Sequence, residues 1–403
     1  MSAIESCLTE KEKARFLESA YLAGLWYVNG QNTQENPWGG VRVSADTGRL
    51  LYEYWPMTGV CSGAGVWSQA LGMCGLFALA KTPFPEGGGV KFGASAELAA
   101  GYLCSLQFLD SRFPKAYGGM REATPLAMHK MSYCRDGATG GFGLAALYRE
   151  TKKAEYLERA NLFCDWYRHY GSDAGGWPFC EFDFSTCEAK HYVLGDWQAG
   201  GSLAYYYTAM ASGDNRWLDE GFRPVMERLL EIGNPDGAEY KPWQWHGDNR
   251  MTTGNDDFAN VALAGAFRAF QDERYLALLR KRLAWVLPMQ DADGSFPNYG
   301  STFVCALELL EFLELVKDYG LPDKTDRTVE ALLRAARYGL TLQETALPDR
   351  RAYGGIYGQS SFGSIRCRIH SRDTAYALHL FLRLAGFEAP CLSARGWSES
   401  GQG

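Results

Sequence analysis

Four aspartate positions recur in similar places along the 403-residue chain: Asp136, Asp196, the adjacent Asp256 and Asp257, and Asp373. Each stands just before a run of small and apolar residues. An aspartate at a helix start caps free backbone N–H groups, worth about 1 kcal/mol. The helix terminus also favours its ionised form, which suits a base or an anion facing developing positive charge. In the adjacent pair, Asp257 is read as the cap and Asp256 as the residue free to face a cavity. A proton donor needs the opposite surroundings, apolar or beside a second carboxylate, so that its pKa rises. Glu53, between Tyr52 and Tyr54 and next to Trp55, has such neighbours, and so does Glu239, close to Trp243 and Trp245. A donor and a base together cleave glycosidic bonds. His191, His246 or Tyr133 could instead take a proton alpha to a carboxylate, giving a lyase or an epimerase.

Cations and aromatic plates stand among these acids. Arg121, Arg135, Arg250, Arg366, Arg368 and Arg372 lie in the same stretches, and SIRCRIHSR places Arg366 and Arg368 on one face if that piece is extended. Guanidinium forks recognise carboxylate or phosphate; salt bridging between loops is the competing use. Tyr54, Trp55, Trp177, Trp197, Trp243 and Trp245 supply flat surfaces, and KPWQWHGDN interleaves two of them with short polar side chains. That mixture fits a sugar ring. A polyprenyl chain would use the aromatics through cation–π contact but has little use for the polar neighbours. The expected partner is a small anionic saccharide, with Asp373 among the residues that bind it. Cys180, Cys187 and His191 have the spacing C-x6-C-x3-H, whereas structural zinc sites use four ligands in tighter pairs, so no metal is expected. No glycine-rich loop follows a strand and no nucleophile elbow occurs; no cofactor is expected.

The elements that must carry these residues show in a repeat. PWGG (37–40), YGGM (117–120), AGGW (174–177), PDGA (235–238), ADGS (292–295) and YGGI (353–356) are six glycine turns. Their intervals are 79, 57, 61, 57 and 61 residues, counted from Gly40, Gly119, Gly176, Gly237, Gly294 and Gly355. Such a period fits one helix pair with its loops. Stretches such as 158–170 and 274–290 read as charged amphipathic helices. Those at 140–151, 199–213, 257–270, 301–319 and 373–386 are apolar nearly all round, which argues burial. The reading is an all-α (α/α)6 toroid, a six-hairpin barrel. It is a single domain over 1–403 with a loop insertion around 82–93, and an open solenoid is the alternative. The candidate residues precede the inner helices, so they would meet at one mouth.

The ends of three outer helices have a more specific texture. In 101–119, 282–296 and 338–355 a Gln near the helix end is followed by an acid and a glycine turn. This resembles the QW-type repeat of the terpenoid-cyclase and protein-prenyltransferase toroid superfamily, in which the Gln would cap the next helix or bridge adjoining repeats. Intracellular six-hairpin sugar enzymes, such as unsaturated uronyl hydrolases and sugar 2-epimerases, share that architecture. The resemblance implies a prenyl substrate as one alternative. Against it, GNDDF (254–258) lacks the first Asp of the DxDD acid of terpene cyclases.

Composition narrows the classes further. A net charge of −7 and no Lys/Arg block give no support to nucleic-acid binding. The most apolar windows, such as ALGMCGLFALA (70–80), are far short of a bilayer span, so no integral membrane contact is expected. Eleven Cys behind an N-terminus without a signal-peptide pattern read as reduced thiols in a cytoplasmic protein. The leading expectation is a glycoside hydrolase, with a lyase, an epimerase, a terpene cyclase-like enzyme or a non-catalytic binding toroid as alternatives.

Overall fold

A computed structural model describes residues 7–38, 46–84, 88–123, 130–191, 194–232, 244–245, 258–297, 301–358, 367–389 and 391–398. From the N-terminus, α1 (Glu10–Gly30) leads through β1 (Leu51–Trp55) and β2 (Val60–Gly63) into α2 (Val66–Ala80), then α3 (Gly88–Ser105). Next, β3 (Met131–Tyr133) opens α4 (Cys134–Thr151), joined closely to α5 (Ala154–His169). Three short strands, β4 (Glu181–Asp183), β5 (Glu188–Lys190) and β6 (Leu194–Gly195), precede a 3-10 stretch, Asp196–Ser202, that continues as α6 (Leu203–Ser212). A π-helical turn, Trp217–Phe222, runs into α7 (Arg223–Ile232), and β7 (Gln244–Trp245) comes before α8 (Ala259–Phe270) and α9 (Glu273–Val286). The last hairpins are α10 (Thr302–Tyr319) with α11 (Asp326–Leu340), and β8 (Ile369–His370) with α12 (Ser371–Leu384); a short α13 (Arg395–Ser398) ends the described chain.

The even-numbered helices pack on one another in chain order, and α12 returns to α2, so the inner ring closes. Their sequences explain the placement. In α10 every residue from Thr302 to Leu313 is buried, whereas α11 buries a single stripe that includes Val329, Leu332, Leu333 and Ala336. A helix without a polar face has to be surrounded, and a one-striped helix can stand outside. Links from an inner helix to the next outer one are short (81–87, 152–153, 213–216, 271–272 and 320–325), while links from outer to inner helices are longer and hold all eight strands found among the described residues. Because the helices alternate in direction, all the long links gather at one end of the ring.

The glutamines of the repeat bind neighbouring hairpins together. Gln31 Nε2 donates to Gly48 O and Ser95 O, both at 3.0 Å. Gln107 Nε2 reaches Gly118 O at 3.1 Å and Arg159 O at 3.0 Å, and Gln290 Nε2 reaches Gly294 O at 3.0 Å and Ala331 O at 2.8 Å. Gln343 Nε2 reaches Gly354 O and, on the first outer helix, Ser19 O, both at 2.9 Å. Each glutamine thus ties its own turn to the outer helix of the next hairpin, and the last one closes the circle on α1. The four turn glycines have φ between +89° and +101°. A Cβ on any of them would come within 2.0–2.6 Å of a carbonyl oxygen of that next helix, so only glycine fits.

Two expectations need correction. The turn of the first hairpin that matches the others is at Gly48, with φ +90°; residues 39–40 of PWGG, like PDGA at 235–238, lie outside the described residues. The loop expected over 82–93 is helical from Gly88 onward. Its glycines mark a close approach: a Cβ on Gly89 would lie 3.1 Å from Ala80 O at the end of α2.

Candidate active site

The seam where the ring closes gathers a cluster of charged and polar side chains at the long-loop end. β1 pairs antiparallel with β2 on one side and β8 on the other, setting Glu53 opposite His370 and Tyr54 opposite Ile369. Side chains alternate across a strand. Tyr54 and Ile369 are therefore buried beneath the sheet, with the Tyr54 hydroxyl donating to Asp349. Glu53 and His370 take the other face, where Arg368 Nη1 donates to Glu53 Oε1 at 2.5 Å. Trp55 lies along this pair, its ring 5.8 Å from the Arg368 guanidinium carbon.

His370 caps α12: its Nδ1 accepts the Arg372 backbone N–H at 3.0 Å. That bond assigns the proton of the neutral ring to Nε2, which faces Glu53 Oε1 at 3.9 Å. Burial first, then Arg372 and Arg368, hold the imidazole well below its ordinary pKa. His370 is therefore a neutral donor at Nε2.

One turn on, Asp373 is 2% exposed, and its Oδ1 accepts from Ser301 Oγ, the N-cap of α10, at 2.7 Å. Burial raises its pKa to about 6 and outweighs the Ser301 hydrogen bond and the fields of Arg372 and Arg368, which act the other way. Tyr52 packs edge-on to His370, with centroids 4.8 Å apart. Burial is the main cause of its raised hydroxyl pKa, modulated by Arg372, Asp136, Glu53 and Arg368. Those four charges belong to the first, second and sixth hairpins, so the basin spans three of them. Asp136, in the first turn of α4, is paired with Arg135 Nη2 at 2.6 Å. Tyr133 precedes α4 opposite Glu181 in the β3–β4 ladder, and burial, then Glu181, Glu122 and Asp136, raise its pKa. The aromatic wall continues along the inner helices: Arg372 lies 5.5 Å from the Trp67 ring, Trp67 is 5.8 Å from Tyr376, and Tyr376 is 5.7 Å from Phe258.

The structure thus brings together Glu53, Trp55, Tyr133, Arg135, Asp136, Arg368, Arg372 and Asp373. Other candidates sit elsewhere. Tyr54 faces the core. Trp177 is buried with its Nε1 donating to Gln198 Oε1 at 3.3 Å. Arg121 binds the carbonyls of Ser105 at 2.6 Å and Leu106 at 3.3 Å. His191 Nε2 lies 3.4 Å from Asp173, with Phe179 against its ring. Glu239, Trp243, His246, Arg250, Asp256, Asp257 and Arg366 lie outside the described residues, as do the side chains of Asp196, Trp197 and Trp245. The pairing of Leu194 with Trp245 does bring the backbones of the third and fourth hairpins together at the same end. The Cys180 thiol meets Gln198 Nε2 at 3.7 Å, and the Cys187 thiol meets Phe184 O at 3.9 Å. Among the described residues, no three potential ligands cluster as a metal would require. Tyr52, Trp67, Ser301 and His370 were not singled out from the sequence. For His370 and Ser301 the available signal was their place immediately before an apolar helix.

No protein-family model matches the chain, and no curated protein matches it by sequence. Solved structures do match in shape. A family 76 glycoside hydrolase from a bovine Bacteroides thetaiotaomicron strain superposes with a TM-score of 0.63 at 12% identity, covering 92% of this chain and 77% of that one. An inactive α-1,6-mannanase of Salegentibacter, altered at two adjacent aspartates and bound to α-1,6-mannotetrose, gives 0.61 at 12% identity over 93% and 99%. The cellobiose 2-epimerase of Spirochaeta thermophila gives 0.57 at 16% identity over 80% and 86%. The fold is therefore the six-hairpin toroid of these proteins. The likeness suggested by the repeat texture is therefore one of fold, and it is not specific to terpenoid cyclases. Among the described residues, no helix is long and apolar enough to cross a membrane.

Proposed function

We propose that the chain is a carbohydrate-active enzyme that hydrolyses a glycosidic bond in a small anionic, uronic-acid-like saccharide bound at the long-loop end. The observation that carries this reading is Asp373. It is a carboxyl group buried at an inner-helix start, held by Ser301 and protonated up to about pH 6, as a donor to a leaving oxygen must be. Glu53, which the sequence suggested as that acid, is instead bound by Arg368 and serves better to orient the guanidinium and accept sugar hydroxyls. Asp136 is the described candidate for the base or for an anion that steadies an oxocarbenium-like transition state. Asp196 and Asp256 hold corresponding places in the sequence. Asp256–Asp257 is the chain's one pair of adjacent aspartates, the kind of pair whose loss accompanies inactivity in the Salegentibacter mannanase. Eleven cysteines, all free thiols, support a reducing, cytoplasmic location.

Likeness to a cellobiose 2-epimerase favours epimerisation as a second reading. It asks for an imidazole that can accept a proton. His370 presents N–H at the nitrogen that faces the basin, and His191 lies against Asp173, so that role falls to His246.

The test is incubation with uronic-acid oligosaccharides, following reducing ends together with ultraviolet absorbance. Hydrolysis releases reducing ends without the absorbing unsaturated product of a lyase. Asp373→Asn, Asp196→Asn and Asp256→Asn are expected to lower turnover by at least ~100-fold while thermal midpoints stay near wild type. Turnover that falls only as far as the folded fraction falls contradicts the assignment.

A further inference from the structure

Asp373 and Ser301 stand at the starts of two inner helices that pack on each other: Asp373 is the third residue of α12, and Ser301 is the N-cap of α10. The serine hydroxyl works in two directions. Its Oγ accepts the Phe303 backbone N–H at 3.3 Å and donates its hydrogen to Asp373 Oδ1 at 2.7 Å. Oδ1 is therefore an acceptor. In a protonated carboxyl group one oxygen accepts and the other carries the hydrogen, so the proton of Asp373 belongs on Oδ2.

The surroundings of Oδ2 differ from those of Oδ1. His370 Nδ1 lies 3.9 Å away, beyond hydrogen-bond range, and already accepts the Arg372 N–H at 3.0 Å. Gly358 stands beside Oδ2, held by its N–H, which donates to Arg368 O at 2.9 Å. A Cβ on Gly358 would come 3.3 Å from Oδ2 and 3.0 Å from His370 Cβ, and its φ lies outside the left-handed region. Space, and not backbone conformation, calls for glycine here. It leaves room next to the oxygen that carries the proton.

We infer that Ser301 is a positioning residue for the proton donor, fixing the proton on Asp373 Oδ2 and so making Oδ2 the oxygen that delivers it. This rests on the hydrolase reading above and deepens it. The proton passes from Oδ2 to the glycosidic oxygen as the bond from that oxygen to the anomeric carbon breaks, and the electron pair leaves with the oxygen. Water bonds to the carbon and loses a proton to Asp136; exchange with solvent resets both carboxyl groups. Asp373 becomes a carboxylate in this step, and the hydrogen bond from Ser301 becomes charge-assisted, about twice as strong. It therefore favours the transition state over the ground state. Among the described residues, the other groups that face the carboxyl are Arg368 and Arg372, which favour its charged form, the neutral His370, and Tyr27 of α1.

The experiment is a carbon-13 NMR titration of carboxyl-labelled aspartate in the full chain, with Asp373→Asn assigning the signal, alongside turnover of uronic-acid oligosaccharides over the same pH range. Asp373 should titrate near pH 6 in wild type. Ser301→Ala should raise that midpoint by about one pH unit and lower kcat about 10-fold, the difference between a charge-assisted and a neutral hydrogen bond, with KM nearly unchanged. Ser301→Thr, which keeps the hydroxyl, should restore both. A serine that only caps its helix would leave the midpoint in place. If Ser301→Ala keeps the wild-type midpoint or the wild-type kcat, the positioning role is overturned while Asp373 as donor stands. If wild type does not cleave the oligosaccharides, or Asp373→Asn cleaves them like wild type, the hydrolase reading fails, and the titration alone decides whether Ser301 sets the proton. Should Ser301→Ala not fold, Ser301→Gly, a tolerated cap without a hydroxyl, takes its place.

Discussion

The two ends of the ring are built from the same helices and solve opposite problems. At the short-link end, charges are matched. Arg383 Nη2 bridges Glu311 at 2.6 Å and Glu314 at 2.7 Å, with Glu311 fully buried and Glu314 at the wall of a cavity of about 380 Å³. The C-terminal segment lies across it, with Trp397 stacked on Tyr207 at 4.5 Å and Ala394 held by Glu311 Oε2 at 3.1 Å and by the Tyr206 hydroxyl at 3.1 Å. At the long-link end, the described charges are matched only in part. Asp373 is raised toward neutrality, His370 is kept from charging, and the Trp67 N–H has no partner. The difference teaches where to look. Matched buried charge fixes a structure, and incompletely matched buried charge marks a place meant to receive something.

Breaking the matched end should produce the largest effect on stability. Arg383→Met leaves two carboxylates without their cation, and removing one partner of a buried ionic group costs about 3–5 kcal/mol. Denaturant unfolding should show that loss, while turnover per folded molecule stays the same. A fall in turnover beyond the folded fraction would mean that the two ends are not separate in function.

The next effect is on pH dependence, and it sharpens the same contrast. Asp373 keeps its proton up to about pH 6 in the folded chain, whereas an unfolded aspartate releases it near pH 4. Between these values the folded state binds more protons, so stability falls as pH rises. His379, in the core with Nε2 3.1 Å from Leu71 O, has the opposite sign. Burial lowers its pKa to about 4, whereas the unfolded residue titrates near pH 6.5, so stability rises with pH over that window. Each of these two contributions is on the order of 3 kcal/mol, and they oppose each other. His370, which burial also holds well below its ordinary pKa, adds to the side of His379, so Asp373 reduces the rise of stability with pH without abolishing it. Asp373→Asn removes that opposition, and its unfolding free energy should climb more steeply than that of wild type between about pH 4 and pH 6; equal slopes in both proteins would show that Asp373 is ionised like an exposed aspartate.

The smallest of these effects belongs to the glutamine ties. Gln343→Ala removes the side-chain hydrogen bonds to Gly354 O and Ser19 O, for an expected cost of about 1–3 kcal/mol with turnover unchanged. A denaturation midpoint equal to wild type would show that the last tie adds nothing to ring closure.

How much of this was legible in the sequence follows from how local each feature is. The inner helices could be read because they lack a polar face, and the glutamine ties because Gln107, Gln290 and Gln343 stand only 11, 4 and 11 residues before a glycine turn. Gly48 escaped because it is single and 17 residues beyond Gln31. The charges of the basin were visible as loop residues, but their partnerships were not: Arg368 and Glu53 are 315 residues apart. Nothing in the sequence distinguishes the Glu53 that meets a guanidinium from one left among aromatic rings. A histidine before a helix reads as a cap, and His370 is one; its second nitrogen acquires meaning only from the strand opposite. The missing partner of Trp67 is a property of the folded neighbourhood alone.

The central claim, that ligand and chemistry belong to the long-link end, is tested most directly by amide hydrogen exchange with and without saturating glucuronate. Slowed exchange is predicted at residues 51–55, 66–67 and 368–373, with the short links at 152–153, 213–216, 271–272 and 320–325 unchanged. Protection confined to those short links and the C-terminal segment would contradict the account.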